Sequence, residues 1–208
     1  MVIHTEKLTN KYYLTMAKIK LEFEKLSILR PKERWQLYFV IVAEHPEDND
    51  KMVLTTTPEP YIRLTPRQKN VLNFVPEASD DGADGLFVLE RDMPEDRRIK
   101  VRVYLRHCRK HTRSAGAMLQ QVKGQLGKHA FDIVGDMLGA GALPWLVISK
   151  EALPLIGGVL RSIKDRDFGF VSMDEEFDEE FETQTELDRM NNFSTGDARI
   201  VWSWSVDE

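Results

Sequence analysis

Between Arg97 and Arg113 the chain reads RRIKVRVYLRHCRKHTR, a run of cations with an aromatic residue among them and no acid. Guanidinium groups present a planar fork of N–H donors that matches carboxylate and phosphate oxygens, so clustered arginines are the side-chain chemistry of anion binding. Ile99, Val101, Val103 and Leu105 alternate with Lys100, Arg102, Tyr104 and Arg106, the period of a half-buried strand. Its outward face would present Arg102, Tyr104 and Arg106 and run on into Arg109, Lys110 and Arg113. These six are the candidate anion- or partner-binding residues.

Charge is distributed in blocks. No acid lies between Asp96 and Asp132, whereas the chain from Lys164 onward is rich in Asp and Glu and holds only Lys164, Arg166, Arg189 and Arg199 as cations. The blocks can face each other across the fold or stand apart, the basic one then attracting an anionic lipid surface or a protein partner. An overall charge of −5 opposes phosphate at long range and argues against a nucleic-acid binder.

Other reactive groups fall short of a catalytic pattern. His107, Cys108 and His111 offer nitrogen and sulfur ligands, but sit among cations that would repel a metal ion. Lys123-Gly124-Gln125-Leu126-Gly127-Lys128 contains a G-x-x-G of the kind that clamps RNA backbone, without the strands that should follow it. No G-x-S-x-G, G-x-x-x-x-G-K-[ST], H-E-x-x-H or G-x-G-x-x-G occurs. No catalytic residue, metal or cofactor is therefore assigned; the sequence leans toward a non-enzyme, although a triad assembled from distant residues leaves no local motif.

Hydrophobic periodicity supplies the scaffold. Ile19, Leu21 and Phe23 alternate with Lys20, Glu22 and Glu24, and Trp35–Val42 is apolar on both faces, as a central strand requires. Shorter extended segments follow at Met52–Thr57, Tyr61–Leu64, Val71–Val75 and Gly85–Glu90, then the basic strand, Phe168–Met173 and Arg199–Val206. From Ala115 the spacing changes to three and four through Leu119, Val122, Leu126, Ala130, Ile133 and Met137, predicting a helix capped by Thr112 or Ser114, with a break near Gly124–Gly127. The uncharged stretch Met137–Ile148 and a second helix to about Ile163 are read as an apolar helical hairpin, with Trp145, Leu146 and Ile148 as candidate apolar contacts. That stretch is too short to span a bilayer.

Many short strands interrupted once by helix predict a mainly β fold, an antiparallel β-sandwich with an inserted α-helical hairpin. Asp165-x-Asp167 followed by Asp174, with Glu44, Glu47, Asp48 and Asp50 in another loop, loosely resembles the carboxylate spacing of calcium-binding C2 domains, the last carboxylate falling one residue late. That resemblance implies a C2-like sandwich with acidic loops at one end.

The 208 residues, 42% of them hydrophobic, fit one domain over 16–208 with the helical insertion at about 112–163, preceded by an arm or extension at 1–15. No secretory signal or transmembrane segment is read, and one cysteine allows no intrachain disulfide, which together suggest a cytoplasmic chain. The expected function is a non-enzymatic binding module for an anionic membrane surface, as a peripheral protein, or for a protein partner. The alternatives are an effector-like or pore-forming protein with a membrane-inserting hairpin, or an assembly subunit that uses strand edges.

Overall fold

The computed structural model describes residues 17–30, 34–65, 70–75, 85–109, 114–135, 139, 143–178, 181 and 186–207. The segment 1–15 lies outside them. Strands take 56% of the described residues and helices 18%, so the chain is mainly β with antiparallel sheets and two short helices.

One sheet is built on β1 (Lys18–Ile28) and the last strand, β13 (Ala198–Asp207), which β12 (Glu186–Asn192) extends on its far side. The other edge of β1 is shared by β5 (Leu86–Asp92) along Lys18–Phe23 and by β4 (Val71–Asn73) along Lys25–Ser27. The second sheet has six strands in the order β10 (Arg166–Ser172), β7 (Val101–His107), β2 (Trp35–Glu44), β3 (Lys51–Leu64), β9 (Trp145–Ser149) and β8 (Ala130–Val134). A two-stranded ladder joins β6 (Arg98–Ile99) to β11 (Glu175–Glu176). Helices α1 (Ala115–Leu126) and α2 (Leu153–Ser162), with 3-10 turns at Gly127–His129 and Lys150–Ala152, complete the described elements.

Two cores follow from the alternation along the six-stranded sheet. Trp35, Leu37, Phe39, Ile41 and Ala43 of β2 pack with Val101, Val103 and Leu105 of β7 against the β1–β13 sheet. Tyr38, Val40 and Val42 point the other way, onto Met118, Leu119 and Val122 of α1 and Ile156 and Leu160 of α2. β2 is thus buried on both faces, which is why its sequence is nearly unbroken in apolar residues.

The outer edge of β10 is closed by the β12–β13 turn. Phe170 N–H donates to Ser194 Oγ at 3.1 Å, Ser194 N–H to Phe170 O at 3.0 Å, and Thr195 Oγ1 to Phe168 O at 2.6 Å. Gly169 makes this approach possible: its φ is +87°, and a Cβ there would lie 2.2 Å from Ser194 Oγ. The same glycine sits in a register shift between Asp167 and Phe170. Phe168 therefore enters the inter-sheet core, while Phe170, opposite Tyr104, faces the helix side.

The region 112–163 differs from its sequence reading. Ser114 does cap α1, its Oγ accepting from Ala117 N–H at 3.3 Å, but the helix stops at Gly127, with φ +54°. Ala130 and Ile133 continue as strand β8 instead of helix. The expected apolar hairpin is half sheet: Trp145, Leu146 and Ile148 belong to β9, paired with β3 and β8. A strand with a core on each side needs no polar face, so its pattern is indistinguishable from an apolar helix segment. The G-x-x-G lies in the last turn of α1 and is not a free loop.

Replacing Gly169 by Ala forces both the positive φ and the contact with Ser194. It is expected to lower stability by about 1–3 kcal/mol, read as a shift of the urea midpoint at constant m-value.

Candidate functional site

The basic strand and the acidic stretch lie side by side, in register. β10 runs antiparallel to β7 with Asp167 opposite Arg106 and Ser172 opposite Arg102, and β11 pairs with β6 with Glu176 opposite Arg98. Arg98 Nη2 is 2.5 Å from Glu176 Oε1, Asp174 Oδ1 accepts from Val101 N–H at 3.0 Å, and Arg189 of β12 reaches Glu175 at 3.1 Å. Of the basic block, Arg98 is neutralised in this way.

Arg106 departs most from the expected outward face, being fully buried. Its Nη2 donates to the carbonyls of Leu160 at 2.7 Å, Asp165 at 3.1 Å and Ile163 at 3.3 Å. These carbonyls lie at and just past the C-terminus of α2, the negative end of its dipole and the place where backbone acceptors lack intrahelical donors. Nη1 is 3.4 Å from Asp167 Oδ1. Asp165 extends the network, accepting from Tyr38 Oη at 2.8 Å and from the backbone N–H of Arg109 at 3.3 Å. A guanidinium so enclosed holds a helix against a sheet; it cannot meet an outside ligand.

The other candidates separate. Tyr104 is buried under α2, and that burial pushes its phenol up, with a hydrogen bond from Arg102 acting against it. Arg102 is partly exposed, its guanidinium 4.9 Å from the Phe170 ring centroid. Arg109 is exposed. Lys110, His111 and Arg113 lie outside the described residues. Trp145 is sealed in the inter-sheet core, and Leu146 and Ile148 in the helix-side core, so none of the three offers surface contact. His107 and Cys108 diverge: the imidazole packs edge-on to Trp35 and Nδ1 accepts from Gln36 N–H at 3.0 Å, while Cys108 joins the helix-side core.

The carboxylates of the C2-like pattern do not converge either. Asp165, Asp167 and Asp174 are engaged with Tyr38, Arg106 and the Val101 N–H respectively. Glu44 accepts from Lys100 N–H at 3.2 Å, and Asp48 pairs with Lys51 at 2.7 Å. A set of carboxylates that does converge, among the described residues, is Glu24, Glu186 and Asp188, with ligand oxygens within 4.8 Å of one another. These three could hold a hard cation. Glu24 arrives there because a bulge in β1 between Phe23 and Lys25 adds a residue to the strand. Partial burial, followed by a hydrogen bond and repulsion from Asp188 and then the charge of Glu186, pushes its carboxyl up to about 7. A carboxyl and a carboxylate sharing one proton relieve the same repulsion.

A recess beside the start of α1 is lined by Tyr38, Thr56, Glu59, Cys108, Ser114 and Met118. Its volume is about 20 Å³, room for a water molecule and far below a substrate pocket. Glu59 Oε1 accepts from Ala115 N–H at 3.2 Å, so this carboxylate serves the helix terminus.

Of the basic block, Arg97, Arg98, Lys100 and Arg109 are exposed, and Arg102 is partly exposed beside Phe170, with Arg161 of α2 near the Tyr104 phenol. The sequence pointed to Arg102 but not to Arg161 or Phe170. Simple alternation would place Phe168 and Phe170 on one face, and only the bulge at Gly169 separates them. No protein-family model matches the chain, and no curated protein matches it.

Arg106→Ala removes the donor from three carbonyls and leaves Asp167 without its buried counter-charge. It is expected to destabilise by about 3 kcal/mol, measured by urea unfolding. For Glu24 the sign is opposite: the folded chain holds a proton that the unfolded chain, with its ordinary value of 4.5, has released. Its contribution therefore falls as pH rises from about 4.5 through about 7. Glu24→Gln should raise Tm at pH 8 and change it little at pH 5.

Proposed function

We propose that the chain is a non-enzymatic β-sandwich binding module, loosely C2-like in architecture and cytoplasmic, that engages a protein partner. The observation that carries this reading is the in-register pairing of the Arg98–His107 strands with the acidic Arg166–Glu176 stretch. A membrane-surface module needs a broad positive face with apolar side chains free to enter the interface. Here Arg98 is ion-paired, Arg106 is enclosed, and Trp145, Leu146 and Ile148 are core residues. Among the described residues no helix is long and apolar enough to cross a membrane.

A compact patch in place of a broad face suits a protein surface, where affinity concentrates in a few arginine and aromatic side chains.

The membrane branch is tested by co-sedimentation with neutral vesicles and with phosphatidylserine vesicles at low salt, in calcium or chelator. The chain is expected to stay in the supernatant throughout. Sedimentation with the anionic vesicles would overturn the protein-partner reading.

A further inference from the structure

At Arg102 the basic strand meets solvent beside an aromatic ring. Arg102 forms no ion pair among the described residues, and its guanidinium lies 4.9 Å from the centroid of the Phe170 ring. Phe170 is 39% exposed, although it lies opposite Tyr104, which α2 covers. Arg161 is exposed on α2, its Nε donating to Gly157 O one turn back at 3.2 Å. Gly157 packs on Tyr104, where an added Cβ would lie 3.9 Å from the ring, so the α2 turn that carries Arg161 lies over the strand that carries Arg102. Arg161 too has no carboxylate partner among the described residues. The neighbouring acids are otherwise engaged: Asp167 faces Arg106 at 3.4 Å and Asp174 accepts from Val101 N–H at 3.0 Å.

We propose that Arg102, Arg161 and Phe170 form the docking patch of this module, and that its occupant is an acidic segment of a partner protein, with a carboxylate held by the guanidiniums and an apolar neighbour laid on the Phe170 ring. The assignment rests on the protein-partner reading and gives that partner its chemistry. Charge complementarity selects the occupant. An Arg stacked on an aromatic ring is held in place while its Nη edge stays open to a bidentate carboxylate. The patch is small and rimmed by Asp167, Ser172 and Asp174 on a chain of net charge −5. An extended anionic bilayer would meet those acids, whereas a single peptide carboxylate meets only the arginines.

The test uses the full chain and a fluorescein-labelled peptide of alternating Glu and Leu, followed by fluorescence anisotropy at low and at physiological salt. Saturable binding that weakens with salt is expected. Arg161→Glu, a change on an exposed helix face, should weaken it by about tenfold or more with Tm unchanged, the loss expected for one charge-assisted contact. Arg102→Gln should weaken it similarly and Phe170→Ala several-fold, whereas Arg199→Glu, on β13 of the other sheet, should leave it unchanged. Peptide binding that survives Arg161→Glu and Arg102→Gln would overturn the patch and leave the partner reading standing. Failure of the unaltered chain to bind the peptide would overturn the assignment of an acidic occupant. Binding to phosphatidylserine vesicles that the same variants abolish would overturn both.

Discussion

A guanidinium placed in a protein interior must be neutralised and hydrogen-bonded where it lies, because the cost of removing it from water is otherwise many kcal/mol. Arg106 meets that demand through Nη2, which donates to three carbonyls at the end of α2, and through the charge of Asp167, 3.4 Å from Nη1 across the β7–β10 ladder, while Nε and Nη1 find no hydrogen-bond acceptor among the described residues. These contacts fix several things together. They set where α2 ends, they hold the following turn against the six-stranded sheet, and they bring Asp165 to Tyr38 of the central strand. The helix layer, the edge strand β10 and the centre of the sheet are thus tied through one side chain.

The same arrangement explains how the charge of the chain is apportioned. Once Asp167 is opposite Arg106, antiparallel pairing carries the acidic residues after it along the basic strand, and Glu176 arrives opposite Arg98. Two cations of a block that looks like an anion-binding face in the sequence, Arg98 and Arg106, are internal counter-charges in the fold. The part that escapes is determined by geometry: α2 covers Tyr104 and Arg106 but not all of Arg102, and the bulge at Gly169 turns Phe170 toward it. The proposed docking patch is a by-product of how that strand pair is built.

Regular strands were legible from sequence, since their periodicity reports burial directly. The two-sided burial of Trp35–Val42 marked β2 as central, and Ile19, Leu21 and Phe23 marked the core face of β1, as the two cores bear out. Three features were not legible. Trp145–Ser149 is apolar on both faces, so its residues carry no period that separates strand from helix. Arg106 reads as one more outward cation, because alternation gives the side of the sheet and not the element that packs on that side. Bulges at Gly169 and Glu24 insert an extra residue and so reverse the face on which the next side chains emerge. The acidic cluster of Glu24, Glu186 and Asp188 and the exposure of Phe170 both arise there. The charge blocks were visible as composition, but their registered pairing depends on which strands adjoin.

The most direct measurement of the enclosed guanidinium is timed phenylglyoxal labelling of the native chain, with each arginine followed by mass spectrometry. Arg102, Arg109 and Arg161 should label readily, while Arg106 should label only when the chain is unfolded with denaturant. Labelling of native Arg106 at the rate of Arg161 would contradict the account, since it would place that side chain on the surface and return the basic strand to the role of an open anion-binding face.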